Sequence, residues 1–294
     1  MESWRAKHGD SKPVQVCVSA STWFCRPRVL TTSLWCARSL LAKVFTKYVP
    51  NIFQQRPTKQ SVEAAIQRSC SALRMPALDM VQLHWWDYSV PGMVDVGRWL
   101  TELRASGKIK HVAVTNMNCD ALQQLLDAGV PVVANQVQFS LLDRRPLNGM
   151  VDLCAKHGIK LLTYGTLAGG LLSDRYVAPA VGRPPAVSLN TSSLKMYFAN
   201  VRVGGEQGWR NLLATLRTIA DKHSVSVAVV ALRWALDAGK GTVCPIIGMR
   251  NATHIQDNAR ALELRLDASD HAMITAALQA CPGPSGDIYS VERS

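Results

Sequence analysis

Residues 107–116 read Gly-Lys-Ile-Lys-His-Val-Ala-Val-Thr-Asn. Gly107 stands where a left-handed residue stops a helix, and the helix it would stop carries Val96, Trp99, Leu100 and Leu103 on one face. Lys110 to Thr115 then reads as a strand rich in β-branched residues. Asn118 is placed to cap a second helix bearing Leu122, Leu125 and Leu126, with Gly129 at its end. Helix, strand and helix within about thirty residues is the repeating unit of a parallel sheet covered by helices.

The same alternation extends in both directions. Upstream, Val44 to Thr46 reads as a strand, and Thr58 opens a helix with Val62, Ala65, Ile66, Ser69, Cys70 and Leu73 on one face. Asp79 to His84 reads as the next strand. Downstream come strands at Val132 to Gln136, Lys160 to Tyr164 and Val243 to Ile247. Between and after them, helices are expected to end near His157, to cover roughly 211 to 237, and to run from about 252 to 262. Six strand-helix units are visible, and 294 residues lie within the range of one α/β barrel.

The formal charge of +12 suggests a nucleic-acid binder until it is located. From Ser11 to Val62 there is no Asp or Glu, and Lys12, Arg26, Arg28, Arg38, Lys43, Lys47, Arg56 and Lys59 supply eight of those charges. The remainder is close to neutral, which argues against a phosphate-backbone binder. No stretch approaches the 18 apolar residues that a bilayer crossing requires, so no membrane span is expected. Eight scattered cysteines form no Cys-x-x-Cys pair and have no His at zinc spacing, so no metal site is expected and reduced intracellular thiols are.

The chain is expected to divide near Lys43. Residues 1–42 form a basic, acid-poor segment without clear strand or helix period, and 43–294 a barrel domain. The Ser, Thr, Arg and Ala content of 11–42 suits an organelle transit peptide, which favours a plastid location, or else a mispredicted first exon on a cytoplasmic protein.

In a parallel barrel the chemistry gathers at the C-terminal ends of the strands. Those ends supply Lys47, His84, Thr115 with Asn116, Gln136 and Tyr164. Taken singly, each has an ordinary structural explanation: a solvated Lys, a buried His, a helix cap, a capping amide, a rim aromatic. Their recurrence at successive strand ends favours a site.

Six stretches carry a resemblance: Val-Phe-Thr-Lys-Tyr-Val-Pro (44–50), Leu-Asp-Met-Val-Gln-Leu-His-Trp-Trp-Asp-Tyr (78–88), the 107–116 segment, Asn-Gln-Val-Gln-Phe-Ser (135–140), Leu-Leu-Thr-Tyr-Gly-Thr-Leu-Ala-Gly-Gly-Leu-Leu (161–172) and Ile-Ile-Gly-Met-Arg-Asn-Ala-Thr-His-Ile-Gln-Asp-Asn (246–258). In this order they resemble the aldo-keto reductases over about residues 43–282, and His-Trp-Trp-Asp-Tyr is most similar to a plant and algal branch of NAD(P)-linked oxidoreductases. The resemblance implies a TIM (β/α)8 barrel and NAD(P)H-dependent reduction of a small aldehyde or ketone, with NADP(H) as cofactor.

By that resemblance Lys47 and His84 are catalytic. Thr115, Asn116 and Gln136 hold the nicotinamide carboxamide, which offers one donor and one acceptor. Tyr164 stacks on the ring, and Gly165, Thr166 and Leu167 line the pyrophosphate side, with Gly169 and Gly170 allowing close backbone approach. Gly248, Arg250, His254 and Asn258 fall in the stretch that holds the adenosine end. Arg250 or His254 is expected on the 2′-phosphate; a role for Arg250 at a helix N-terminus is the alternative.

One departure stands out. The family also uses an Asp and a Tyr upstream of its catalytic Lys, the Tyr serving as proton donor. No Tyr precedes Tyr48, and the only upstream Asp is Asp10. Nor do 43 residues accommodate two further strand-helix units. Tyr48, next to Lys47 on a strand, is expected to point the opposite way. The expectation is an N-terminally incomplete or divergent barrel that lacks or alters its first two strands, with impaired activity; the alternative is an inactive NADP-binding interaction or sensor protein.

Overall fold

The computed structural model describes residues 17–20, 42–177, 186–248 and 252–293. They belong to two compact units, the first being Met1–Thr115 with Gln123–Val133, and the second Asn116–Leu122 with Ala134–Ser294.

In the first unit the order is β1 (Cys17–Ala20), β2 (Ala42–Tyr48), α1 (Lys59–Leu73), β3 (Leu78–Leu83), α2 (Met93–Ala105) and β4 (Ile109–Thr115). β2, β3 and β4 pair in parallel, with Lys47 opposite Gln82 and Gln82 opposite Ala113. β1 pairs antiparallel with β2, Cys17 opposite Phe45, so a strand lies in the segment where no period was legible; four residues are too few to show one. α1 begins as the sequence implies. Thr58 Oγ1 accepts from the Ser61 amide and Ser61 Oγ accepts from the Thr58 amide, a closed capping box. Its buried residues are Val62, Ile66 and Cys70.

α2 buries Val96 and Leu100, and Gly97 beside them is needed for its closeness. A Cβ at Gly97 would lie 2.9 Å from Leu125 and 3.0 Å from Val130. On the helix-facing side of the strands, buried Asp79 accepts from the Val44 amide and from Lys110 Nζ at 2.8 Å. Burial raises its pKa, but Lys110, the amide and Lys43 outweigh that and hold it below the usual carboxylate value.

The boundary between the units passes through α3 (Cys119–Asp127) and β5 (Val132–Gln138). In the second unit, Asn118 Oδ1 accepts from the Ala121 amide at 2.9 Å, capping α3 as its sequence implies. β5 pairs in parallel with β6 (Lys160–Tyr164), Gln138 opposite Tyr164, and β6 in parallel with β7 (Val243–Pro245). α4 (Met150–His157) lies between β5 and β6 in the chain.

The helical region expected over 211–237 is two helices beginning earlier, α6 (Glu206–Lys222) and α7 (Val227–Ala238). They break at Ser224, which has φ 53°, and Ser226 Oγ caps α7. Before them lies α5 (Ser192–Gly204); after them come α8 (Ala252–Glu263), α9 (Ala268–Gln279) and the short α10 (Ser290–Arg293).

Trp209 of α6 is fully buried, donates from Nε1 to the Leu171 carbonyl, and meets Tyr176 and the edge of Phe198. Polar staples fix α9: Lys222 Nζ and His223 Nε2 both reach buried Asp270, while Asp267 caps the helix by accepting from the Asp270 amide. Burial raises the Asp270 pKa; Lys222, His223 and the Asp267 amide more than reverse that and hold it below the usual carboxylate value. Among the described residues no helix is long and apolar enough to cross a membrane, and no group of three or more His, Cys, Asp or Glu is placed to hold a metal ion.

Candidate active and cofactor site

Strand period decides what the first unit presents. Lys47, Gln82 and Ala113 occupy one row across β2, β3 and β4, and residues two further along point the same way. That places His84 and Thr115 on the face of Lys47 and Gln82, at the C-terminal strand ends. The His84 amide donates to the Tyr48 carbonyl at 3.0 Å, which extends the β2–β3 ladder by one bond. Gln82, His84 and Thr115 are buried, and Lys47 is half-buried. Two buried polar atoms on this face have no hydrogen-bond partner, Gln82 Nε2 and Thr115 Oγ1. The His84 ring lies 5.5 Å from that of Trp86.

Tyr48 sits on the opposite face, with its hydroxyl at Ser61 of α1. Burial raises its pKa, and Ser61 and Arg68 only partly offset this. A neutral phenol turned toward a helix is not a proton donor for the face that carries Lys47, as the strand alternation implied.

In the second unit the site is built around Asn116 and Tyr164. Asn116 adopts φ 52°, a left-handed conformation that Asn tolerates better than most residues, and its amide donates to the Gln136 carbonyl at 2.8 Å. Buried Asn135 holds the next residue: its Oδ1 accepts from the Met117 amide and its Nδ2 donates to the Met117 carbonyl. With the backbone fixed on both sides, Asn116 Oδ1 accepts from the Tyr164 hydroxyl at 3.0 Å. Burial first, then the nearby Tyr289, Glu292, Tyr197 and Asp143, raise the Tyr164 pKa well above its ordinary value, so the phenol stays protonated and donates.

A narrow crevice lies here, lined by Asn116, Gln138, Arg145, Pro146, Tyr164, Ile288 and Tyr289. Its wall is braced by a buried guanidinium. Arg145 meets Asp143 through Nε at 2.9 Å and Nη2 at 2.7 Å, and Glu292 through Nη1 at 2.9 Å and Nη2 at 2.7 Å. Burial opposes its charge, but the two carboxylates prevail and raise its pKa. Strand pattern reveals none of this, because Glu292 lies 147 residues away in the chain.

The residues that follow Tyr164 form a tight turn with positive φ at Gly165, Ala168, Gly169 and Gly170. The close approach permitted at Gly165 and Gly169 is by the ring of Tyr197 from α5: a Cβ would lie 2.5 Å and 2.9 Å from it. At Gly170 the space is open. Thr166 is buried with its hydroxyl on Thr163, and Leu167 is half-buried.

Gln136 is buried in β5 and is absent from the cleft lining, whereas Gln138, two residues on and pointing the same way, is part of it. Gly248 is exposed beyond β7. Asn258 of α8 has a buried Nδ2 without a partner. Arg250 lies outside the described residues, as does the side chain of His254. The sequence reading missed Asn135, Gln138 and Arg145. Gln138 was accessible to it through the two-residue spacing from Gln136; the other two act through distant partners.

A family model described as "Aldo/keto reductase family" matches residues 41–279. The chain belongs to the aldo-keto reductases. Solved members share its fold, the α/β-barrel class expected from the sequence. A glycerol dehydrogenase from Gluconobacter oxydans aligns with TM-score 0.62 at 22% identity, over 78% of this chain and 67% of its own. An aldo/keto reductase from Klebsiella pneumoniae, in complex with NADP and acetate, aligns with TM-score 0.57 at 20% identity, over 82% and 71%.

Among curated relatives, pyridoxal reductase, chloroplastic, from Arabidopsis thaliana is 28% identical over 81% of this chain. Flagellar radial spoke protein 5 of Chlamydomonas reinhardtii is 31% identical over 67% of it. The chain spans 63% and 44% of the lengths of these two relatives. The plant and algal likeness read from His-Trp-Trp-Asp-Tyr agrees with both.

Proposed function

We propose that this aldo-keto reductase chain binds NADP(H) and belongs to an oxidoreductase that reduces a small aldehyde or ketone. The observation that carries the reading is the cleft of the second unit, where the Tyr164 hydroxyl is held on Asn116 beside a buried, unpartnered acceptor, Gln138 Oε1. The groups present in this wall are of the kinds that a nicotinamide uses. Its ring needs an aromatic face and its carboxamide needs fixed donors and acceptors. At the adenosine end, the buried donor Asn258 Nδ2 also lacks an acceptor, consistent with a polar ligand there. Gly248, Arg250 and His254 complete that end by family resemblance, and Gly165 to Leu167 the pyrophosphate side, with Thr166 contributing through its backbone because its hydroxyl is engaged. The Klebsiella relative's NADP complex supports the cofactor.

When bound, the cofactor supplies a hydride to the carbonyl carbon. Lys47 and His84, on one face of the first unit with Thr115, are the residues that orient the carbonyl and stabilise charge on its oxygen. The named activity of the chloroplastic Arabidopsis relative supports an aldehyde substrate and, with the acid-poor 11–42 segment, a plastid location.

A second reading, an NADP-binding interaction protein without turnover, is favoured by two observations. Tyr48, the tyrosine adjacent to Lys47, faces α1, and the chain is similar to a flagellar radial spoke protein.

Titration with NADPH, followed by tryptophan fluorescence, tests the shared part. Saturable quenching is expected; no change up to millimolar cofactor, alongside salt-sensitive DNA binding, would refute it. Steady-state reduction of an aromatic aldehyde then separates the two readings. Activity abolished by Lys47→Met supports the reductase, and cofactor binding without turnover supports the interaction protein.

A further inference from the structure

We propose that Trp86 is a positioning residue for His84, its indole fixing the plane in which the imidazole meets a carbonyl. The assignment rests on the reading of His84 as catalytic and goes beyond it, because it gives a task to the second tryptophan of His-Trp-Trp-Asp-Tyr. The backbone of His84 is held by its amide, which donates to the Tyr48 carbonyl at 3.0 Å. That bond leaves the ring plane open, since the last torsion of a histidine side chain is broad. A neighbour has to orient it. The Trp86 ring lies beside it, with 5.5 Å between centroids and 55° between planes, within the range of a favourable aromatic pair.

The two tryptophans divide the work. Strand alternation turns Trp85 away from His84. It is fully buried, and its Nε1 donates to the Val90 carbonyl at 3.2 Å. Between those residues the chain folds back at Asp87. Its Oδ1 accepts from the Ser89 amide at 2.9 Å and from Ser89 Oγ at 2.7 Å, and its carbonyl accepts from the Val90 amide at 3.2 Å. Half-buried Trp86 is thus mounted between a buried anchor and a closed turn. A side chain supported on both sides can in turn hold a neighbouring ring in place, which accurate placement of a catalytic group requires.

Steady-state reduction of an aromatic aldehyde by the full chain is compared for wild type, Trp86→Leu, Trp86→Phe, His84→Gln and the double variant. Trp86→Leu is expected to lower kcat by about ten- to a hundredfold, the scale of a misplaced catalytic group, with KM and NADPH affinity nearly unchanged. Trp86→Phe keeps an aromatic ring and is expected to recover most of that loss. In the His84→Gln background Trp86→Leu is expected to cost little more, because the ring through which the indole acts is already gone. Nuclear Overhauser contacts between the imidazole and indole protons of the wild-type chain, assigned by their loss in His84→Gln, check the geometry even if Trp86→Leu does not fold.

A raised KM with kcat preserved would make Trp86 a substrate contact. Additive losses in the double variant, or equal losses with Leu and Phe, would make it a packing residue, and missing Overhauser contacts would remove the pair. Each of these overturns the assignment. A wild-type chain that shows the contacts and binds NADPH without turnover is a different result: it overturns the catalytic reading of His84, and this assignment with it.

Discussion

The two units place their polar residues by different means. In the first, Lys47, Gln82, His84 and Thr115 reach one face through strand alternation alone, and two of them carry unpartnered polar atoms. In the second, Asn116 and Tyr164 are held by bonds that strand period does not specify: Asn135 to Met117, Tyr164 to Asn116, and Arg145 to both Asp143 and Glu292. The first arrangement is a consequence of local chain geometry and tolerates substitution of a neighbour. The second is a network, in which removing one member leaves others buried without partners.

That contrast is broken most forcefully at Arg145. Arg145→Met leaves Asp143 buried without its counter-ion, and a broken buried pair costs about 3–5 kcal/mol. Urea denaturation is expected to show a loss of this size; a loss below about 1 kcal/mol would mean that the guanidinium is a passenger in the wall.

At Asn135 the expected effect is intermediate. Asn135→Ala deletes both bonds to the Met117 backbone and leaves a buried amide and carbonyl unmet, at about 2 kcal/mol. NADPH affinity is expected to fall with it, because the Asn116 loop loses its anchor. Stability lost with affinity unchanged would detach Asn135 from the site.

Within the second unit, but away from the cleft, Asp270→Asn probes the α6–α9 staple. The Asp270 pKa is lowered in the fold, so its charge stabilises the fold above the ordinary carboxylate value and the contribution is lost as pH falls through the depressed one. The variant is expected to be less stable than wild type at pH 7 by about 1.5 kcal/mol, the scale of a hydrogen bond to a charged group. The gap should close below pH 4. Thermal melts across pH 2–7 measure it; a gap independent of pH would mean that the carboxylate acts through shape alone.

The smallest effect is expected where the first unit is tested. Tyr48→Phe removes a bond to Ser61, worth about 1 kcal/mol or less, and leaves NADPH binding and any turnover unchanged. A drop in turnover by two or more orders of magnitude would place the proton donor at Tyr48 and reverse the assignment of faces.

The legibility of the chain follows the same division. Local signals were read directly: Thr58 and Asn118 as caps, Gly107 and Gly129 as left-handed stops, β6 to the residue. Strand ends drifted where a polar residue continues the ladder, as at Gln138, which extends β5 two residues past the expected end. α5 and α9 were missed because neither carries a strong apolar stripe; each buries few residues, and α9 is fixed by Asp267, Asp270 and Lys222 instead. Within the site, Lys47, His84, Asn116 and Tyr164 announced themselves at strand ends, whereas Arg145 in Asp-Arg-Arg-Pro reads as an ordinary surface cation until its distant partner is known.

That distant partner also couples remote parts of the chain. Asp143 lies two residues before Arg145 and accepts from Nε and Nη2, so this half of the arrangement is local in the chain. Glu292 follows 147 residues later and must close a long loop, an entropic cost that grows only slowly with length. Asp143 holds the guanidinium fork in the orientation that Glu292 of α10 meets. One wall of the crevice therefore depends on a contact between segments far apart in the chain, so a change near α10 is felt at Arg145.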